Sequence, residues 1–394
     1  MATTTPNFGW AVPTSTDLVK DGAVAIETLG DSIDASLVDL KGGTTGQVLA
    51  KATNTDMDFT WSTPSAGASG INPNIVINGG FDIWQRGTSF TATGKTFTAD
   101  RWWKFRGGDA AGATYSRQNS ATSAPGTQYC MRIQRDNGNT STANLQLYSD
   151  FETNSSIIYA GQTVTLSYYA RKGANYSGGD FTLALKTGTG TDQSQYAGFT
   201  SETTVLQVIA TSASMNTSTF VRYTGTVTLA TTMTQLGFQA LYNPTGTAGA
   251  ADYVEITGIK LEEGSSATDF VRAGATIQGE LSACQRYYYR DTPGTAYGSF
   301  AIGQVISSVD ARFIVNLPVQ MRTQAASLEY SNVGATSTTH GAIGTPTTFT
   351  IGQSGVNTVT LNFNVSGIFT SAGQATMLIA NNSTAAYIGF SAEL

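Results

Sequence analysis

Val164, Leu166, Tyr168 and Ala170 alternate with Thr165, Ser167 and Tyr169. A period of two puts one set of side chains on one face of a strand and the other set on the opposite face. The beat returns at Phe181, Leu183 and Leu185, at Val221, Tyr223, Val227 and Leu229, and at Leu236, Phe238 and Ala240. It recurs at Phe313, Val315, Leu317 and Val319, and at Val359, Leu361, Phe363 and Val365. Turn formers separate the runs: Lys172-Gly173, Ser177-Gly178-Gly179 and Pro244-Thr245-Gly246. Short alternating runs spaced in this way predict sandwiches of antiparallel strands rather than helices. Val254 and Ile256 share one phase, Ile259 and Leu261 the other, so a bulge is predicted at the intervening Gly258.

Composition agrees. Only 12% of the 394 residues are charged, and Thr, Ser, Asn, Gln and 43 Gly supply the polarity instead. β-branched Thr and permissive Gly suit strands and tight turns. The 17 Tyr, 18 Phe and 5 Trp are too many for a disordered chain. A net charge of −6 with no basic run argues against nucleic acid as the main ligand. Cys130 and Cys284 are too few for a disulfide framework and read as buried thiols. No charged segment leads into an apolar one at the start, and no stretch approaches a membrane span. The expected product is made in a cytoplasm, remains soluble and inserts in no membrane.

The N-terminus departs from the β pattern. Residues 1–15 read as an extended arm whose Phe8 and Trp10 need a partner surface. Thr16 is placed as a helix N-cap. Val12, Val19, Ile26, Ile33 and Leu40 then recur every seven residues, with Leu29 near the companion position. A 3.5-residue period favours a coiled-coil seam, and its β-branched residues are compatible with three strands. Val19, Ile26, Leu29, Ile33 and Leu40 are therefore the expected trimerising residues, with Lys41-Gly42-Gly43 ending the helix. Val48, Leu49, Phe59 and Trp61 mark a small hairpin, and Pro64 to Gly70 a linker. Ile277, Leu281 and Cys284 fall on one face of a short helix near 276–288. The expected fold class is mostly β: a short coiled-coil helix, then two jelly-roll-like sandwiches, in a trimeric fibre. The expected domains are 1–70, 71–272 and 273–394.

Three groups of residues carry a resemblance. Asp17-Leu-Val-Lys-Asp-Gly22, Ile33-Asp-Ala-Ser-Leu37 and Lys41-Gly-Gly-Thr-Thr-Gly-Gln-Val-Leu-Ala-Lys51 look like the N-terminal part of phage tail-fibre and related appendage proteins. Asn74-Ile-Val-Ile-Asn-Gly-Gly-Phe-Asp-Ile-Trp-Gln-Arg-Gly87, with Ala99-Asp-Arg-Trp102, resembles the jelly-roll module these share with carbohydrate-binding modules. Val271-Arg272, Ala283-Cys-Gln-Arg-Tyr-Tyr-Tyr-Arg290 and Gly389-Phe-Ser-Ala-Glu-Leu394 resemble their tip domain. The resemblance implies a homotrimeric virion appendage, assembled in the host cytoplasm and touching the host surface. Phe8 and Trp10 would hold it to another virion protein. A tail fibre that adsorbs to host glycans is the first reading; a purely structural virion decoration, such as a capsid fibre, is the alternative, since both reuse these modules.

Chemistry is sparse. Any Ser-His-Asp triad would have to use the single histidine, His340, and no nucleophile elbow is present. No His or Cys cluster has zinc spacing, and the short repeat of a β-helical depolymerase is missing. The chain reads as a non-enzyme without a cofactor, a capsule depolymerase being the lesser alternative. Sugar binding needs aromatic faces with nearby amides. Tyr176, Tyr196 and Trp103 in the first sandwich, and Tyr297 and Tyr330 in the second, are the candidates for a host glycan. Related sugar-binding jelly rolls hold a structural Ca²⁺ at places that Asp82 and Glu255 match loosely, although two acids do not complete a site.

Overall fold

The structure, a computed structural model, describes residues 3–62, 73–91, 93–109, 111–120, 124, 126–337 and 342–394. It is mostly β and divides into two compact units, 1–70 and 71–394. The expected linker Pro64–Gly70 and His340 lie outside the described residues.

In the first unit the arm is a small hairpin rather than extended. Thr3–Thr4 pairs with Ala11–Val12, and Phe8 stacks on Trp10 with ring centroids 4.8 Å apart. The two rings cover each other, which favours the turn over an open strand. A 3₁₀ turn at Val19–Asp21 leads into the α-helix Gly22–Leu37, and a second 3₁₀ turn, Val38–Leu40, ends it. Thr16 does not cap this helix; Asp17 Oδ2 instead accepts the Thr14 backbone N–H at 2.7 Å. No residue of the helix or its flanking turns is buried: Val19 is 96% exposed, Ile26 and Leu40 are also exposed, and Leu29 and Ile33 are half-buried. The predicted hairpin forms between Val48–Lys51 and Phe59–Ser62. Its Trp61 covers the glycines after the helix, where a Cβ on Gly43 would stand 2.7 Å from the indole.

The second unit opens with two six-stranded antiparallel sheets. One runs, in spatial order, 203–210, 181–188, 235–242, 145–150, 103–106 and 96–97. The other runs 221–228, 163–172, 253–263, 129–135, 113–119 and 89–90. The inward set read from the alternation, with Val164, Leu166, Tyr168, Leu183, Leu185, Phe238 and Ile256 among it, forms their common core. The bulge is present. Ser167 pairs with Lys260 but Tyr169 with Thr257, so the strand Tyr253–Glu263 carries one extra residue. Gly258 takes it up at φ +60°, a conformation that costs an L residue.

The helix Ile277–Gln285 follows, capped by Thr276, whose hydroxyl accepts Gly279 N–H at 3.0 Å. It turns Cys284 and Glu280 inward, while Ile277 stays exposed. Both cysteines are free and buried, as read. A three-stranded and a seven-stranded antiparallel sheet complete the unit around a separate core that includes Phe313, Leu361, Phe363, Leu378 and Phe390.

A cluster of charged residues lies between the two cores. Glu152 accepts both Arg286 Nε and Nη2 at 2.9 Å, and the Tyr287 hydroxyl. Glu393 pairs with Arg101 and with Arg86, whose guanidinium lies 3.4 Å from the Tyr288 ring centre. Gln85 donates to Tyr288 O and Asp100 and accepts Arg290 N–H. Residues far apart in the chain thus converge on this seam: Gln85-Arg86, Asp100-Arg101, Arg286 to Tyr288, and Glu393.

Candidate functional site

Antiparallel register builds the candidate site on the outer face of the first sheet. Tyr148 stands opposite Trp103 on one side and Gln239 on the other, Ala184 is opposite Gln239, and Gln207 is opposite Ala184. Two residues along, Gln146 lies between Phe105 and Leu241, and Thr182 between Leu241 and Ile209. Two parallel rows therefore cross five strands: Trp103, Tyr148, Gln239, Ala184, Gln207, and Phe105, Gln146, Leu241, Thr182, Ile209. All have the phase opposite to core residues such as Leu147, Phe238 and Leu183.

The rows combine flat rings with amides and a hydroxyl. Trp103 stacks on Tyr148, centroids 4.0 Å apart and planes 9° apart. Gln239 Nε2 donates to the Tyr148 hydroxyl at 2.8 Å, and that hydroxyl donates to Gln146. Burial pushes the Tyr148 phenol up to about 12, so it stays a neutral donor. Trp103, Tyr148, Gln146 and Ala184 are the floor; Phe105, Gln239, Leu241 and Thr182 are half-buried, and Gln207 and Ile209 exposed. Small Ala184 leaves the middle of the first row low.

Asp150 shapes one end. Its Oδ2 accepts Trp103 Nε1 at 3.0 Å and Ser194 Oγ at 2.9 Å, and its Oδ1 accepts Gln195 Nε2 at 2.7 Å and Gln195 N–H at 3.3 Å. This draws the loop after strand 181–188 down against the face. The loop carries Tyr196, 58% exposed, edge-on to both Trp103 and Phe105 at 6.0 Å. Lys95 Nζ lies 5.0–5.4 Å from the ring centres of Trp103, Phe97 and Tyr196. Its burial lowers the ammonium pKa, against the attraction of Asp150 and Glu393.

Of the sequence candidates, Trp103 and Tyr196 meet here. Trp103, at 2% exposure, supports the surface and cannot itself stack on a ligand. Tyr176, half-buried, stacks one face on Tyr242 at 4.8 Å between rings and has its hydroxyl buried. Tyr297 and Tyr330 are exposed on the second sandwich, Tyr330 edge-on to Phe349. Phe105, Tyr148, Gln146, Gln239 and Gln207 were missed by the sequence reading, although the same alternation that identified the core marks them as outward. The proposed calcium pair is occupied by arginine: Asp82 Oδ2 accepts Arg272 Nε at 2.7 Å, and Glu255 is held by Arg132 at 2.6 Å and by Arg171. With their charge already balanced these carboxylates do not fit a cation site, and no group of three acidic, His or Cys ligands occurs among the described residues.

No family model and no curated protein matches the chain. Solved structures similar to it include the CBM22-1–GH10 modules of Clostridium thermocellum xylanase 10B complexed with xylohexaose, at 10% identity and TM-score 0.29, covering 52% of this chain and 31% of that one. Another is the enzymatically active domain of bacteriophage CBA120 tailspike protein 4, at 11% and 0.31, covering 48% and 21%. A third is the CBM22-1 xylan-binding domain of Paenibacillus barcinonensis Xyn10C, at 12% and 0.29, covering 50% and 99%. The chain spans less than a third of the first two. No residue role transfers at this distance, and the site is read from this chain's own side chains. No helix among the described residues is long and apolar enough to cross a membrane.

Proposed function

We propose that this chain is a self-associating, non-enzymatic recognition protein of the phage-fibre kind, whose first sandwich holds a host-surface glycan. The observation that carries the reading is the pair of cross-strand rows, in which rings, amides and a hydroxyl share one sheet face. Sugar rings present C–H faces to aromatics and hydroxyls to amides, so this mixture suits them. The edge of Tyr196 would close one end, with Phe105 and Leu241 under the sugar and Gln239, Gln207 and Thr182 at its hydroxyls.

Self-association is supported by the helix Gly22–Leu37, which buries none of its side chains. A helix of this length, with Ile26 exposed, Leu29 and Ile33 only half-buried, and exposed Val19 and Leu40 in its flanking turns, is marginal alone and would gain stability by pairing its seven-residue stripe with copies of itself. Three copies would turn weak contacts into firm attachment. The stacked Phe8–Trp10 pair would dock onto another virion protein.

The test has two arms. Native mass by light scattering should be about three times 41.3 kDa and fall on Ile26→Asn with Ile33→Asn. Screening on a glycan array followed by calorimetry should find a ligand whose affinity drops on Tyr196→Ala and on Phe105→Ala. A monomeric full chain sinks the fibre reading; an array with no ligand, or one indifferent to both aromatic variants, sinks the recognition face.

A further inference from the structure

The second sandwich contains a separate groove. It is a concavity of about 770 Å³ on the outer face of the seven-stranded sheet, between strands 299–305 and 348–354. Ile302, 72% exposed, and Ile314, 59% exposed, form its apolar part together with Ile306. Gln304, Gln353, Asn362 and Arg312 line the remainder. The register shift between Ile351 and Ser354 breaks the edge strand where Gly352 and Gln353 enter the groove, a common use of a bulge. Gly352 keeps the floor open, since a Cβ there would stand 2.9 Å from the Asn362 amide.

Arg312 is the informative residue. Each of the other arginines has an ion pair, a hydrogen bond or an aromatic ring against its guanidinium. Among the described residues Arg312 has none of these, and no acidic residue lines the groove with it. Asp310, two residues back, shares an adjoining hollow with Arg312 but forms no ion pair with it and accepts the Ser307 hydroxyl at 2.8 Å. Nor do the exposed or half-buried side chains of Gln304, Gln353 and Asn362 have a hydrogen-bond partner among the described residues. Among arginines that are otherwise all engaged, the groove thus presents one open guanidinium and three amides around an apolar patch.

We propose that this groove binds a carboxylate-bearing, N-acetylated saccharide. The carboxylate would meet the Arg312 fork, the acetyl methyl would lie against Ile302 and Ile314, and hydroxyls would meet Gln304, Gln353 and Asn362. The site is independent of the aromatic face of the first sandwich, and failure of either leaves the other standing.

Saturation-transfer NMR on the full chain tests this with three probes: N-acetylneuraminic acid, which has both groups, N-acetylglucosamine, which lacks the carboxylate, and glucuronic acid, which lacks the acetyl. N-Acetylneuraminic acid should give the strongest transfer, centred on its acetyl methyl. Its Kd should rise at least about tenfold in Arg312→Ala. Ile314→Asn should remove the methyl transfer. Both positions are on the exposed face, so the fold should persist, as circular dichroism would verify. Equal transfer to N-acetylglucosamine, or a Kd unchanged in Arg312→Ala, overturns the proposal. So does a fall in native mass in either variant, which would make this face a contact between copies.

Discussion

Replacing Asp150 by alanine should both destabilise the first sandwich and release Tyr196 from the recognition face. The carboxylate is 4% exposed and accepts four hydrogen bonds, from Trp103 Nε1, Ser194 Oγ, and Gln195 Nε2 and N–H. Ser194 can turn to water when the acceptor is lost. The Trp103 indole and the Gln195 main chain cannot, and the Gln195 amide keeps only its carbonyl partners, Phe238 O at 3.1 Å and Ser149 O. A hydrogen bond to a charged group is worth roughly 1.5–3 kcal/mol, and a stranded buried donor costs about as much. Two fully stranded donors therefore give a loss of roughly 3–5 kcal/mol for Asp150→Ala. Asp150→Asn keeps the acceptor for Gln195 but turns an N–H towards the indole N–H, so its loss should be roughly 2 kcal/mol. Urea denaturation followed by Trp fluorescence measures both. Glycan affinity should fall in the same order, because the loop that presents Tyr196 is held by these bonds. Alanine and asparagine variants of equal stability, or an alanine variant within about 1 kcal/mol of the parent, would refute the pinning role.

Other outcomes follow from the packing. Arg135 and Asp252 are both fully buried and paired at 2.9 Å, and Arg135 also donates to Asn139, Ser141 and Gly246 carbonyls; Arg135→Met should cost roughly 3–5 kcal/mol in chemical denaturation by leaving Asp252 uncompensated. Burial pushes Asp100 up to about 6, against Arg86 and the Gln85 hydrogen bonds. The folded chain then holds a proton that the unfolded chain releases near 3.8, so this group's contribution to stability falls as pH rises from about 4 to 6, by roughly 3 kcal/mol. Asp100→Asn should remove that fall from the pH dependence of Tm. Glu152 should act in the opposite sense: burial raises its pKa, but hydrogen bonds from Arg286 and Tyr287 outweigh this and lower it overall, so its contribution is lost on acidification and Glu152→Gln should reduce acid sensitivity. Gly258→Ala should cost about 2 kcal/mol, from positive φ and a Cβ placed 2.9 Å from the Tyr169 ring, read as a lower Tm.

Much of the fold was legible because its signals are local. Alternation depends only on neighbours two apart, so it located several of the strands and the inward side chains of both cores. The change of phase across Gly258 identified the bulge for the same reason. Thr16 failed as a cap because the helical turns begin only at Val19, beyond its reach, and the arm closed because Phe8 and Trp10 could stack on each other. Among aromatics, sequence could not separate Tyr196 from Tyr176. Both sit beside small residues, but one is lifted on a loop pinned by Asp150, whereas the other lies on Tyr242.

By itself the sequence determined the class of structure: strands with one apolar face, glycines where chain direction or phase must change, and a separate heptad stripe at the N-terminus. Which outward residues become neighbours depended on strand order and register, and these join positions more than a hundred residues apart. Trp103, Tyr148 and Gln207 share one row only because the sheet places strands 103–106, 145–150 and 203–210 within it. The same long-range pairing brings the Gln85-Arg86, Asp100-Arg101 and Arg286 to Tyr288 runs together with Glu393 in a seam between the two cores, where buried charges find partners that no local pattern could have named.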